Sequence, residues 1–452
     1  MTEPATTDTT EGRLEHLSQA LDTGAADQIR HLLINLHGSE IADLLECFPH
    51  GPREILWELV DPDDHGEVLT QVNDEVRAGL IDELETRDLV AATEGLDPDD
   101  LADILMDLPG TVIQEVLRAM DKQDRQRLEV VLHYPEDSAG GLMNVDVVTV
   151  RADVTLDVVM RYLRMRGELP HNTDKLFVVD RHDCYRGALA LTQLLTNEPE
   201  KIVAAVMDRD IRGIPATQTD VEVARQFENH DLLSAAVVSE DNKLLGRITI
   251  DDVVDVIRED ADHSLLSMAG LDEEDDTFAP VMKSARRRAL WLGINLFTAF
   301  LASWVIGNFQ ATLEQVVALA VLMPIVASMG GIAGSQTLII VIRGLALGQI
   351  GSSNARWLMY KELAVSILNG LGWAVVVAVI SALWFSNRDI GLVIAAALII
   401  NLMCAALAGL SIPFILKRLN IDPALAGSVI LTTFTDVIGF MVFLGLGTIF
   451  LL

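Results

Sequence analysis

Residues 390–415 read IGLVIAAALIINLMCAALAGLSIPFI, a run without one charged side chain. A helix crossing a hydrocarbon core of about 30 Å needs around 20 apolar residues, so this run predicts a membrane span. Four more stretches of the same kind lie near 289–307, 315–343, 358–384 and 424–451. Together they predict a polytopic α-helical membrane domain over residues 285–452. The second stretch carries Pro324, Gly330, Gly331 and Gly334 and is expected to be broken. A break at membrane depth is tolerated only where the freed backbone faces protein or a water-filled path.

Working outward, charge divides the chain in two. Residues 281–452 hold ten Lys/Arg and five Asp/Glu, a net of +5. Residues 1–280 hold 23 basic against 61 acidic groups, a net of −38. Such excess negative charge repels nucleic acid and attracts cations. With residues 1–280 inside, nine basic residues fall on inside segments and only Arg388 on an outside loop. This bias predicts a multi-pass protein of the bacterial inner membrane, with a cytoplasmic N-terminus and an outside C-terminus. The first residues, MTEPATTDTTEGRLEH, lack the basic and apolar regions of a signal peptide. Cys47, Cys184 and Cys404 are far apart and suggest neither disulfides nor zinc.

Ionisable residues within the spans are few. Asp436 lies mid-way along the last, in LTTFTDVIGFMVF. A carboxylate facing lipid costs at least a few kcal/mol, so it should face the bundle interior. It is either a structural carboxylate bonded to a neighbouring helix or part of a cation site. Thr432, Thr433 and Thr435 beside it supply the oxygen ligands of the second reading. Gly330, Gly331 and Gly334, in MGGIAGSQT, are either helix packing or pore lining. Glu362, next to Lys361, reads equally as an interfacial salt bridge or as part of an ion path.

Residues 1–135 read as an acidic helical stack. EIADLLECFP (40–49) recurs as DLADILMDLP (100–109) at an offset of 60. Asp61-Pro62 and Asp97-Pro98 mark turns and helix starts. From 136 to 258 strand runs such as LFVVD and AAVVS alternate with helices in two similar halves, each β-α-β-β-α in outline. A linking helix is expected within 252–284. Asp252, Asp255 and Glu259 on it fall at i, i+3 and i+7 and share a face. Like charges at that spacing repel, and a bound divalent cation would relieve the repulsion.

The halves at 136–258 resemble a tandem pair of CBS domains, carried best by PATQTDVEVARQFENHDLLSAAVVSEDNKLLGRITIDDVVDVI (215–257). That resemblance allows an adenine nucleotide in the cleft. The whole chain resembles the MgtE family of Mg²⁺ channels, through YPEDSAGGLM (134–143), MPIVASMGGIAGSQTLIIVIRGLALGQI (323–350) and DPALAGSVILTTFTDVIGF (422–440). It implies a multidomain fold: an all-α cytoplasmic stack, an α/β CBS pair and five membrane helices. It also implies a homodimer in the lipid bilayer, with its pore between the second and fifth helices. Asp436 matches the aspartate that holds hydrated Mg²⁺ by charge, and Thr432, Thr433, Ser428, Gly331 and Ser335 complete the expected path. Asp99, Asp103, Asp231, Asp252, Asp255 and Asp260 match positions where cytosolic Mg²⁺ binds and closes the pore. Ile332 and Ser428 stand where asparagines are usual in the family, and Val429 where proline is, which alters the polarity of the path.

The alternatives are a secondary transporter of Co²⁺, Mn²⁺ or Ni²⁺, and a CBS nucleotide sensor anchored in the membrane. An enzyme is argued against by the absence of HExxH, GxGxxG and GxxxxGK[ST] motifs.

Overall fold

The computed structural model describes residues 10–84, 86–93, 96–106, 108, 110–120, 122–271, 276–351, 353–419 and 421–452. The chain forms two compact units. One is Met1–Asp262 with Glu274–Pro280, the other His263–Glu273 with Val281–Leu452.

The first unit opens with helices α1 (Thr10–Thr23), α2 (Ala26–Leu33), α3 (Gly38–Glu46), α4 (His50–Trp57), α5 (His65–Gln71), α6 (Asp74–Asp82), α7 (Thr86–Ala92), α8 (Pro98–Met106), α9 (Gly110–Ala119) and α10 (Lys122–Val131). Helices this short are marginal alone, so their stability comes from the apolar face each one buries. The 60-residue repeat is structural. Ile41, Leu44 and Leu45 of α3 and Leu101, Ile104 and Leu105 of α8 bury the same i, i+3, i+4 stripe in one core. Local chemistry sets the helix ends. His37 and Glu40 form a reciprocal cap on α3, and the Asn73 side chain accepts from the Val76 N–H at α6.

Two small sheets follow. In the first, β1 (Thr149–Arg151) pairs parallel to β2 (Lys175–Val179), which pairs antiparallel to β3 (Tyr185–Ala190). In the second, β4 (Ile214–Pro215), β5 (Ser234–Val238) and β6 (Leu244–Thr249) repeat the same order and senses. The register shifts at Val178/Val179 and again at Val237/Val238. β2 and β5 are buried along their whole length, which explains why they read as continuous rather than alternating apolar runs. The crossovers α11 (Leu156–Arg166) and α14 (Asp220–His230) are helical, as a parallel strand pair requires. After β3 come α12 (Leu191–Thr196) and the short α13 (Val203–Val206), and after β6 comes α15 (Ile250–Ser267). Each sheet therefore has the β-α-β-β-α outline expected. The linking helix is shorter than the 252–284 segment assigned to it: it ends at Ser267, where the chain turns through Gly270 at a φ of 72°.

The second unit contains α16 (Val281–Gly307), α17 (Gln310–Gln315), α18 (Val317–Ala346), α19 (Ala355–Trp384), α20 (Arg388–Arg418) and α21 (Pro423–Leu451). Among the described residues five helices, all but α17, are long and apolar enough to cross a membrane. α20, the stretch quoted first, is the most buried and packs against α18, α19 and α21. α16 and α19 turn large apolar side chains outward, among them Phe297, Trp304, Leu368 and Leu383. That is the surface a lipid solvent requires.

One expectation is overturned. The second stretch is not broken at Pro324 or the glycines; α18 is continuous, and the interruption falls earlier, at Val316 between α17 and α18. The glycines serve close packing instead. A Cβ on Gly330 would lie 2.3 Å from Asn401 Nδ2, and one on Gly334 3.0 Å from Leu431. Asn401, wholly buried on α20, donates to the Val326 carbonyl of α18 at 2.9 Å, an interhelical tie of the kind polar residues supply in membrane bundles.

Candidate functional site

Two sites emerge, one in each unit.

In the second unit a groove of about 490 Å³ runs between α18 and α21. Ala327, Ser328, Gly331, Ile332, Ser335, Gln336 and Ile339 line it from α18 at helical spacing, and Thr432 and Asp436 from α21. Gly331 lines the groove because, beyond its own turn of helix, no described atom stands within 4 Å of where its Cβ would be, unlike its neighbours Gly330 and Gly334. Asp436 is half-buried and has no hydrogen-bond or ion-pair partner among the described residues. A structural carboxylate tied to a neighbouring helix would show one. Its carboxyl oxygens therefore remain open to whatever occupies the groove.

The hydroxyls are oriented by their own helix. Thr432 Oγ1 donates to Ser428 O (2.9 Å), Thr433 Oγ1 to Val429 O (2.7 Å) and Thr435 Oγ1 to Thr432 O (3.0 Å). Each hydroxyl thereby spends its proton and keeps lone pairs for a cation. Thr432 reaches the groove; Thr433 does not line it, and Thr435 is wholly buried. Ser428 lines a neighbouring cavity of about 220 Å³ with Trp291, Asn295, Thr432 and the 268–270 turn, and its Oγ donates to Met268 O at 3.4 Å. Ser328 and Gln336 are groove residues that the sequence reading missed. Their positions relative to Gly331 and Ser335 on one helical face were the available signal.

In the first unit carboxyls crowd between α8 and α15. Oxygens of Asp97, Asp99 and Asp100 lie within 4.8 Å of one another. Asp99 is 8% exposed, and its buried Oδ1 has no hydrogen-bond partner among the described residues. Burial, then the charges of Asp252, Asp100 and Asp97, push its carboxyl well above the usual range. Burial, then Asp97, Asp251 and Asp255, raise Asp100 to about 6. Asp103 rises to about 7 through burial and Glu136, against the pull of Arg77. Asp252 rises to about 7 through burial and Asp251, although it accepts from the N–H and hydroxyl of Thr249 at 3.1 and 3.0 Å. Glu259, though open to solvent on its outer side, rises to about 7 through burial and Asp255. Asp255 is raised by burial more than Arg258 lowers it.

This set needs protons or a cation to be stable, and hard divalent ions take carboxylate oxygens. Asp99, Asp103, Asp252 and Asp255 of the expected residues belong to it. Asp97, Asp100 and Glu259 join them, and the run DPDD at 97–100 was the legible sign of the first two. Asp260 lies near Asp220. Asp231 is exposed, in the left-handed conformation that ends α14. The geometry of the α8–α15 carboxyls does not involve it.

Three family models match the chain: MgtE divalent cation transporter over residues 323–446, MgtE intracellular N domain over 36–137, and CBS domain over 203–259. A Bacillus subtilis (strain 168) protein, magnesium transporter MgtE, is 30% identical over 433 residues, covering 95% of this chain and 96% of that one. A Thermus thermophilus protein of the same name is 29% identical, covering 96% and 98%. A crystal structure of the cytosolic domain of the Mg²⁺ channel MgtE in complex with ATP aligns with 54% of this chain and 99% of its own, at 30% identity and a TM-score of 0.49.

Proposed function

The chain belongs to the MgtE family of divalent cation transporters, and we propose that it passes Mg²⁺ along the α18–α21 groove and is closed by cytosolic Mg²⁺ held at the α8–α15 carboxyls. The observation that carries the path is Asp436, half-buried, unpartnered and aligned with Thr432, Gly331 and Ser335 in one groove.

Mg²⁺ dehydrates reluctantly, so a lone carboxylate with surrounding hydroxyls suits the hydrated ion. Asp436 concentrates it by charge, and Thr432, Ser335 and Gln336 accept from or donate to its waters. The groove is open on one side. In this reading a second copy of the chain closes it as a homodimer in the bacterial inner membrane, with residues 1–280 in the cytoplasm, as the loop charges favour.

The closing step follows from Coulomb's law. Without a cation the α8 and α15 carboxyls repel, and the elements that carry them separate. Mg²⁺ bridges them and holds the closed arrangement. An adenine nucleotide between the two CBS units is a second regulatory ligand in this reading, and no catalytic residue is assigned.

The test is Mg²⁺ uptake into proteoliposomes carrying the whole chain or Asp436→Asn. Uptake falling by at least about tenfold is expected when the central charge is lost. Unchanged uptake in the variant would refute the path. Uptake that requires an imposed proton or Na⁺ gradient would replace the channel with coupled transport.

A further inference from the structure

Glu362 of α19 is 5% exposed, within a membrane-spanning segment. Its Oε1 accepts from Lys361 Nζ at 2.8 Å, and its Oε2 accepts from Thr337 Oγ1 of α18 at 3.2 Å. Thr337 is itself 3% exposed, and this is the hydrogen bond its side chain makes among the described residues. An ionised group at such a place is expensive unless paired, and Lys361 supplies the pair. The pair alone does not explain why the second oxygen reaches across to another helix.

The answer lies in where Thr337 sits. It follows Ser335 and Gln336, which line the groove, but points to the opposite side of the same helical turn. α18 is a poor rod by itself. Pro324 removes one backbone hydrogen bond, and Gly330, Gly331 and Gly334 remove side-chain packing and add backbone freedom. The position of its groove face must then come from contacts on its back. Asn401 ties Val326, and Gly409 of α20 packs where a Cβ would lie 2.6 Å from Gly334 O and 3.1 Å from Thr337 Cβ. Glu362 supplies the remaining grip, at the turn that presents Ser335 and Gln336.

We infer that Glu362 is a positioning residue for the ion path: through Thr337 it sets the rotation of α18 and so the distance between the Ser335–Gln336 edge and Asp436. The inference rests on the α18–α21 groove being the path.

The test uses the whole chain in planar bilayers. Thr337→Val, which keeps the shape and removes the donor, is expected to lower Mg²⁺ permeability relative to K⁺ by about tenfold, the scale of a hydrogen bond to a charged group. Thr337→Ser is expected to restore it. Glu362→Ala should shift selectivity alike, and adding Thr337→Val to it should change nothing further. Size-exclusion and thermal unfolding in detergent check that each variant is folded. Wild-type selectivity in folded Thr337→Val, failure of Thr337→Ser to rescue, or additive effects in the double variant would overturn the inference. Asp436→Asn, recorded alongside, separates the two readings. Undiminished flux there removes the path itself, whereas lost flux there with normal Thr337→Val removes only the positioning role.

Discussion

Arg53 Nη1 lies 2.8 Å from Asp276 Oδ2, with both side chains more than nine-tenths buried and the two residues 223 positions apart in sequence. Arg53 Nε also donates to the Leu45 carbonyl, and the Asp276 backbone N–H donates to Glu75. The short segment that precedes α16 is thereby fastened to α3, α4 and α6 of the helical stack, independently of any cation. Removing one partner of a buried pair strands the other. Arg53→Ala should therefore lower the local opening free energy of α3 and α4 by about 3 kcal/mol. Hydrogen–deuterium exchange over residues 38–57 of the whole protein measures this. Unchanged protection would show that the pair contributes no net stability.

The carboxyls between α8 and α15 make the first unit sensitive to pH. Burial raises Asp100 to about 6 and Asp103, Asp252 and Glu259 to about 7, above their unfolded values near 4. The folded state then binds more protons than the unfolded state across this window. Without divalent cation, stability is greatest below pH 4 for these groups and declines as pH rises to 7. Mg²⁺ bound there, as proposed, would displace the same protons, so its affinity should rise from pH 6 to pH 8. Calorimetric titration of the whole protein at both values, with proton release followed by buffer dependence, would settle the sign. Equal affinity would show that these carboxyls are not the ligands.

Replacing Asp99, Asp100 and Asp252 together by asparagine removes both the repulsion and the proposed cation ligands. The expected outcome is a channel that stays open at millimolar cytosolic Mg²⁺, with a cytoplasmic unit no longer protected from protease by added Mg²⁺. Retained closure in patch recordings would assign the closing step to other residues.

The adjacent glycines of α18 should respond differently to the same substitution. In Gly330→Ala the new Cβ would stand 2.3 Å from Asn401 Nδ2, so the α18–α20 contact must shift. In Gly331→Ala it meets nothing within 4 Å and enters the groove. Gly330→Ala should lower the melting temperature in detergent, at a cost on the scale of overpacking a core, about 1–3 kcal/mol. Gly331→Ala should leave melting unchanged or raise it slightly, because Ala is the better helix former, while narrowing the path and reducing Mg²⁺ flux. Equal effects on melting would contradict the assigned faces.

Much of the architecture is legible in the sequence. Runs of apolar residues announce spans because lipid imposes one simple demand on every residue facing it. The EIADLLECFP repeat became two helices burying the same stripe, and the strand runs became two sheets of one topology. What periodicity misjudged was α18, where proline and glycine suggested a break. Their effect depends on which neighbour fills the space, here Asn401, Leu431 and Gly409, and no local pattern encodes that.

The sequence by itself determined the classes of the two halves: an apolar half of five spans with one carboxylate mid-way along the last, and an acidic half with carboxyls at helical spacing. Each follows from a rule that acts along a single element. Tertiary structure alone decided which groups meet. It separated groove-facing Gly331 from packing Gly330, placed Thr432 in the groove and left Thr433 out, brought Asp99 and Asp100 to Asp252, and turned Glu362 toward Thr337. Such juxtapositions join residues up to 153 apart, as Asp99 and Asp252 are. They arise from packing among helices, whose energies depend on complementary surfaces that periodicity along one strand or helix does not record.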